Sequence, residues 1–211
     1  MNEAKGEAAY GAYANMELFY GRTPWYYKGD RQNGEFWVDM NETNTRWIEG
    51  GAYVGYYGLN NSGSPFYSET TPNYFYARSY GPETYAEFDY PGIGPAYGAW
   101  YGLYIAEQGV ANGNWCVQWA WDPSPTACYN AFPKKSEQLQ TGLEYVTTPG
   151  TGAEFNGRSV GWTEWNNWTW HEGWYGAYAK AHVRYDGSPL CIVAPAPGYT
   201  YGSVAFSDPG C

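Results

Sequence analysis

Bulky rings and small residues alternate along one short segment after another, and this alternation restricts the fold more than anything else in the chain. AAYGAYANMELFY (8–20) shows it, and GEFWVDMNE (34–42) and TRWIEGGAYVGYYG (45–58) read as the next two strands. Successive side chains of a strand point to opposite faces, so a period near two is a strand period. NYFYARSY (73–80) and ETYAEFDY (83–90) read as a hairpin about Gly81-Pro82. AYGAWYGLYIAEQ (96–108) pairs with NWCVQWAW (114–121) across the turn signal Asn112-Gly113. LQTGLEYVTT (139–148), AEFNGRSVGWTEW (153–165) and YGAYAKAHVRYDG (175–187) supply more strands before LCIVAPAPGYTYGSVAFSDPGC closes the chain. NNSGSPFYSETTP (60–72) and DPSPTACYNAFPKK (122–135) read as loops rich in turn formers. Short strands at such spacing predict an all-β fold, a β-sandwich or jelly roll of two antiparallel sheets.

At 211 residues, the chain suits one domain with one core, placed here at 8–211 with 1–7 as a flexible N-terminal end. Aromatic residues make up 21% of the chain, which gives ample area to bury and excludes a disordered class. The net charge of −10, with eleven scattered basic residues, excludes a phosphate-binding surface and hence nucleic acid as a partner. No apolar run approaches the roughly 20 residues that span a bilayer, so membrane insertion is not expected.

Four cysteines are present, Cys116, Cys128, Cys191 and Cys211, with only His171 and His182 to join them. No CxxC pair occurs, which argues against zinc. Cys116–Cys128 across a hairpin and Cys191–Cys211 at the tail are the favoured disulfides, although four cysteines permit three pairings. Disulfides imply an oxidising compartment. The chain reads as a mature secreted protein with Met1 added at a trimmed start. Sequons stand at Asn41, Asn60 and Asn167.

Glu49 interrupts an otherwise apolar strand. In strand phase, Trp47, Glu49, Gly51, Tyr53 and Gly55 share one face, and Arg46, Ile48, Gly50, Ala52 and Val54 the other. The second set suits a core. The first is aromatic and polar, and its glycines are expected to mark close approach of a ligand or another backbone. A carboxyl flanked by rings is partly desolvated, which suits general acid or base work. Against this stands the plainer reading of a glutamate on a solvated sheet.

Glu144 has a similar setting, sharing a face with Gln140, Gly142 and Val146. Two carboxylates meeting across one face can divide acid and base roles. Glu154 and Glu164 are further candidates. In ETYAEFDY, Glu83, Tyr85, Glu87 and Asp89 fall together, and a solvated outer face explains them better than a calcium site without a DxDxDG loop. Trp162, Trp165, Trp168, Trp170 and Trp174 crowd one stretch with His171 and Glu172, and exposed rings there would stack on sugars or extended peptides. No GxSxG or HExxH motif occurs, so serine and zinc chemistries lack support. No metal and no cofactor is called for.

Arg46-Trp47-Ile48-Glu49-Gly50-Gly51, followed by Tyr74-Phe75-Tyr76, resembles the first catalytic-glutamate strand of neprosin-type glutamic peptidases. Gly113-Asn114-Trp115 is similar to the same proteins, and Gly142-Leu143-Glu144 matches a later glutamate strand of secreted actinobacterial proteins with this layout. A C-terminal W-G-G-E strand is not visible. The more distant eqolisin peptidases share the sandwich and pair a glutamine with a glutamate. The resemblance implies a concanavalin-like double sheet in which one carboxylate activates water against an amide. The other then acts as acid or steadies the oxyanion, without metal and at acidic pH. The sites expected on this basis are catalytic Glu49 and Glu144, with Trp47, Tyr53, Trp162, Trp165 and Trp168 against an extended peptide. The composition equally suits a carbohydrate-active or carbohydrate-binding sandwich with a glycan ligand, or a non-catalytic cell-surface protein. Exposed aromatic strands also leave self-association open.

Overall fold

The computed structural model describes residues 2–17, 20–22, 31–41, 43, 45–59, 65–90, 93–107, 113–133, 136–146, 154–156, 158–166, 175–176, 181–183, 190–193 and 201–206. Its strands are β1 (Asn2–Ala9), β2 (Gly11–Glu17), β3 (Tyr20–Arg22), β4 (Arg31–Asp39), β5 (Trp47–Leu59) and β6 (Pro65–Ser79). They continue as β7 (Ala86–Tyr90), β8 (Trp100–Glu107), β9 (Trp115–Trp119), β10 (Ala127–Tyr129), β11 (Ser136–Val146) and β12 (Glu154–Asn156). The last are β13 (Arg158–Asn166), β14 (Tyr175–Gly176), β15 (Ala181–Val183), β16 (Leu190–Val193) and β17 (Tyr201–Phe206). Among the described residues none is helical.

Two antiparallel sheets result. The seven-stranded sheet runs β15-β1-β11-β4-β5-β6-β7; the eight-stranded sheet runs β10-β9-β8-β2-β13-β17-β16, with β14 beside β13. A ribbon of β12 and β3 stands apart from both, with β3 lying against β5 and β6. Consecutive β1 and β2 belong to different sheets, and the chain passes between them at Tyr10, whose carbonyl accepts from Glu107 N (2.7 Å).

The core is where the two inner faces meet. Phe36, Val38, Met40, Ile48, Ala52, Val54 and Tyr74 come from one sheet, and Ala12, Ala14, Met16, Leu103, Ile105, Trp115, Val117 and Trp119 from the other. The expected inward set of β5 is therefore inward at Ile48, Gly50, Ala52 and Val54; Arg46, just before the strand, donates from Nε to Tyr80 O (3.0 Å). Tyr101 ties the sheets together by donating to Gly34 O (3.0 Å), and its complete burial pushes its ionisation far above the ordinary tyrosine range.

Some of the sequence expectations change here. Residues 2–7, read as a loose end, form most of β1, because β11 and β15 flank that segment with ladder hydrogen bonds. The 60–72 loop becomes strand from Pro65, as β5 is long enough to pair with it beyond two register shifts. β10 arises inside the 122–135 loop, where the disulfide Cys116–Cys128 joins directly opposed residues of β9 and β10. Cys211 lies outside the described residues, so the Cys191–Cys211 pairing does too. Among the described residues no helix is long and apolar enough to cross a membrane.

Candidate active site

The pleat that sends Ile48, Ala52 and Val54 into the core turns the other face of β5 away from the eight-stranded sheet. Register fixes the rows on that face. Glu49 sits opposite Trp37 of β4 and Ala77 of β6. Extending the row places Gln140 of β11 beyond Trp37 and Glu87 of β7 beyond Ala77. The next row carries Gly142, Glu35, Gly51, Phe75 and Asp89, and the one after it Glu144, Asn33, Tyr53 and Asn73.

Glu49 is only 5% exposed and its carboxyl is gripped at both oxygens. Trp47 Nε1 donates to Oε2 (3.1 Å), and the Tyr85 hydroxyl donates to Oε1 (3.0 Å). Donors aimed at both oxygens stabilise the carboxylate in place of the water that burial removes. The two donors also lean together, their ring centroids 5.9 Å apart. Trp47 is half-buried, whereas Tyr85 is 43% exposed, so this end of the face opens to solvent.

Tyr85 reaches Glu49 because the preceding turn is held firmly. Thr84 N donates to Gly81 O (3.0 Å) and Tyr80 N to Thr84 Oγ1 (3.0 Å). Ser79 Oγ bridges Gly81 O (3.0 Å) and Thr45 O (3.1 Å), and Arg78 Nη1 donates to Thr84 O (3.3 Å). Gly81, at a φ of 153°, supplies a backbone shape that side chains disfavour. The turn is thus fastened to β6 and to the segment just before β5, and Tyr85 is delivered across β6 to β5.

At the other end the face is closed. Tyr53 and Phe75 are fully buried and meet edge to face at 6.0 Å, while Asn73 Nδ2 donates to the Tyr53 hydroxyl (3.4 Å). Tyr53 therefore presents no ring to solvent, contrary to its expected substrate-facing role. The glycines beside Glu49 do not leave room for a ligand either. A Cβ on Gly50 would sit 2.7 Å from Leu103 Cδ2 of the opposite sheet, and one on Gly51 would collide with Gly34 O of β4. Gly51 serves close backbone packing against β4, and Gly50 leaves room for the Leu103 side chain.

The expected partner, Glu144, shares the seven-stranded sheet with Glu49 but not its row. It pairs with Asn33, whereas Gln140, four residues earlier, pairs with Trp37 and hence lines up with Glu49. With strands about 4.8 Å apart and about 3.4 Å per residue, the Cα of Gln140 lies roughly 10 Å from that of Glu49, and Glu144 about 13 Å further along the strand. Trp162 and Trp165 sit on β13 of the eight-stranded sheet, opposite Asn15 and Ala12 of β2, so register does not bring them to Glu49. Trp168 lies outside the described residues. Two nearby residues escaped the sequence reading. Tyr85 was grouped with its acidic neighbours, and nothing local announces its contact with a strand 36 positions away. Glu35, 2% exposed, stands diagonally from Glu49, a relation that places Cβ atoms about 7–8 Å apart. Its signal was present in GEFWVDM, where Glu35, Trp37 and Asp39 alternate with Phe36, Val38 and Met40. Among the described residues no group of three or more His, Cys, Asp or Glu side chains could hold a metal ion.

No family model matches the chain, and no curated protein matches it. Solved structures do, and they share one architecture, the sandwich of the eqolisin-type glutamic peptidases. Scytalido-glutamic peptidase, crystallised with a transition state analog inhibitor, aligns with a TM-score of 0.60 at 10% identity over 98% of this chain and 96% of that one. A second structure of that peptidase, with a peptide based transition state analog, gives 0.59 at 10% identity and the same coverage. SCP-B, described as a member of the eqolisin family in complex with the tripeptide Ala-Ile-His, gives 0.56 at 8% identity, again over 98% and 96%. At these identities the likeness is one of fold.

Proposed function

We propose that this protein is a metal-independent, extracellular hydrolase of the glutamic-peptidase type, with Glu49 as its reacting carboxylate and an extended peptide as substrate. The observation that carries the reading is the state of Glu49: a nearly buried carboxylate, held at both oxygens by side-chain donors, on the outward face of a sheet whose sandwich matches peptidases crystallised with peptide analogs. Such a carboxylate is placed to take a proton from water as the water attacks the amide carbon, and to return it to the leaving amine. The second group would come from β11. Gln140 occupies the row of Glu49, which supports a glutamine–glutamate pair over the two-glutamate pair with Glu144. The disulfide Cys116–Cys128 fits the extracellular setting. Acidic pH is the optimum that the likeness to glutamic peptidases implies.

The test is hydrolysis of a denatured protein across pH 2–8 by the wild type, Glu49→Gln, Gln140→Ala and Glu144→Gln. Cleavage at acidic pH that disappears in Glu49→Gln and Gln140→Ala but survives in Glu144→Gln is the expected pattern. Loss in Glu144→Gln with survival of Gln140→Ala would restore the two-glutamate pair. An inactive wild type that retains glycans, with equal affinity in Glu49→Gln, would make the chain a binding module.

A further inference from the structure

We propose that Tyr85 is a second catalytic group, a hydrogen-bond donor that passes from Glu49 to the substrate's carbonyl oxygen during amide hydrolysis. The inference rests on the peptidase reading above and adds to it a residue outside both sheet cores. Three observations converge on it. The hydroxyl lies 3.0 Å from Glu49 Oε1, so it stands beside the carboxylate oxygen that would take the water's proton. Tyr85 is 43% exposed while Glu49 is 5% exposed, which makes the tyrosine the group an incoming chain meets first. The turn behind it is tied by Ser79, Thr84 and Arg78, and its ring rests on Trp47, so the hydroxyl is aimed in advance without being buried.

The chemistry balances without any co-reactant. Water bound to Glu49 attacks the amide carbon, and its proton moves to Oε1. The carbonyl π pair becomes an oxyanion, and the Tyr85 hydroxyl turns from the now-protonated carboxyl to donate to it. Collapse of the intermediate breaks the C–N bond, the amine takes the proton from Glu49, and Tyr85 returns to Oε1. Oxyanion sites combine more than one preorganised donor, so Tyr85 complements a group from β11.

Tyr85→Phe removes the hydroxyl and keeps the ring on Trp47, and near-UV circular dichroism monitors the fold. The expected result is a fall in kcat of about 10- to 1,000-fold, the range for loss of one oxyanion donor, with KM within twofold of wild type. Affinity for a peptide-based transition-state analog should fall in parallel, while affinity for an uncleaved tripeptide should hold. Wild-type kcat in Tyr85→Phe would overturn the assignment and leave the peptidase reading standing. A raised KM with unchanged kcat would also overturn it and make Tyr85 a substrate contact only. A wild type that cleaves nothing at any pH would overturn both.

Discussion

Two glutamates in this protein are almost equally buried and are held by different kinds of donor. Glu107, 4% exposed at the end of β8, accepts from the backbone N–H of Gly113 at 2.7 Å. Glu49, 5% exposed on β5, accepts from an indole and a phenol. The first carboxylate closes the turn between two paired strands, where Gly113 takes a φ of 81° and a Cβ would strike Phe132 O. The donors to the second come from side chains, one of them exposed, and they lie on the face away from the core. Burial alone therefore does not tell these two acids apart; the chemical kind of the donors on each, and the side of the sheet they occupy, does, and the proposal for Glu49 is drawn from that difference.

Glu49→Gln should break the comparison most sharply. Peptide hydrolysis is expected to fall by about 10²- to 10⁴-fold, with the thermal midpoint changed little, because the amide oxygen can still accept from Trp47 while its NH2 donates to the rotatable Tyr85 hydroxyl. Reducing the disulfide comes next. It closes a loop with a sequence separation of 12, which corresponds to roughly 3 kcal/mol of stability, read by urea unfolding with and without reductant. Activity per folded molecule should persist, since β9 and β10 lie in the opposite sheet from Glu49. Glu107→Ala should cost about 1–3 kcal/mol by leaving the Gly113 N–H buried without its acceptor, again without loss of kcat in the folded fraction. The smallest effect is expected of Trp47→Phe, which removes one donor from Oε2. A several-fold drop in kcat would fit, and loss of folding instead would place Trp47 with Glu107 among the structural parts.

Much of the architecture was legible because it depends on alternation, which is local. Ile48, Ala52 and Val54 announced the inward face of β5, and Glu49 announced itself as the exception on the other. Cys116 and Cys128 were legible for a related reason, lying close in sequence on neighbouring strands. What alternation does not supply depends on distances between elements. Gly50 is a glycine because Leu103 arrives from the other sheet, and Gly51 because β4 presses close. Tyr53 seemed available until its contact with Phe75 showed it buried. The choice between Gln140 and Glu144 is a matter of β11–β4 register, which alternation cannot give, since both residues have the same parity. Tyr85 lay beyond reach for a similar reason, as three strands had to be aligned before its hydroxyl met Glu49.

β7 ends the seven-stranded order, is only five residues long, and sets Glu87 and Asp89 along its length. Short, charged borders of this type keep neighbouring molecules from zippering onto one another. That safeguard is electrostatic and holds only while the carboxylates stay ionised. Carboxylates in general take up protons at about pH 4, so a border of this kind loses its repulsion in acid, together with much of the chain's overall negative charge. An acid-active enzyme of this shape would thus approach its working pH as its colloidal protection weakens, and light scattering should detect clustering at the acidic end of that range.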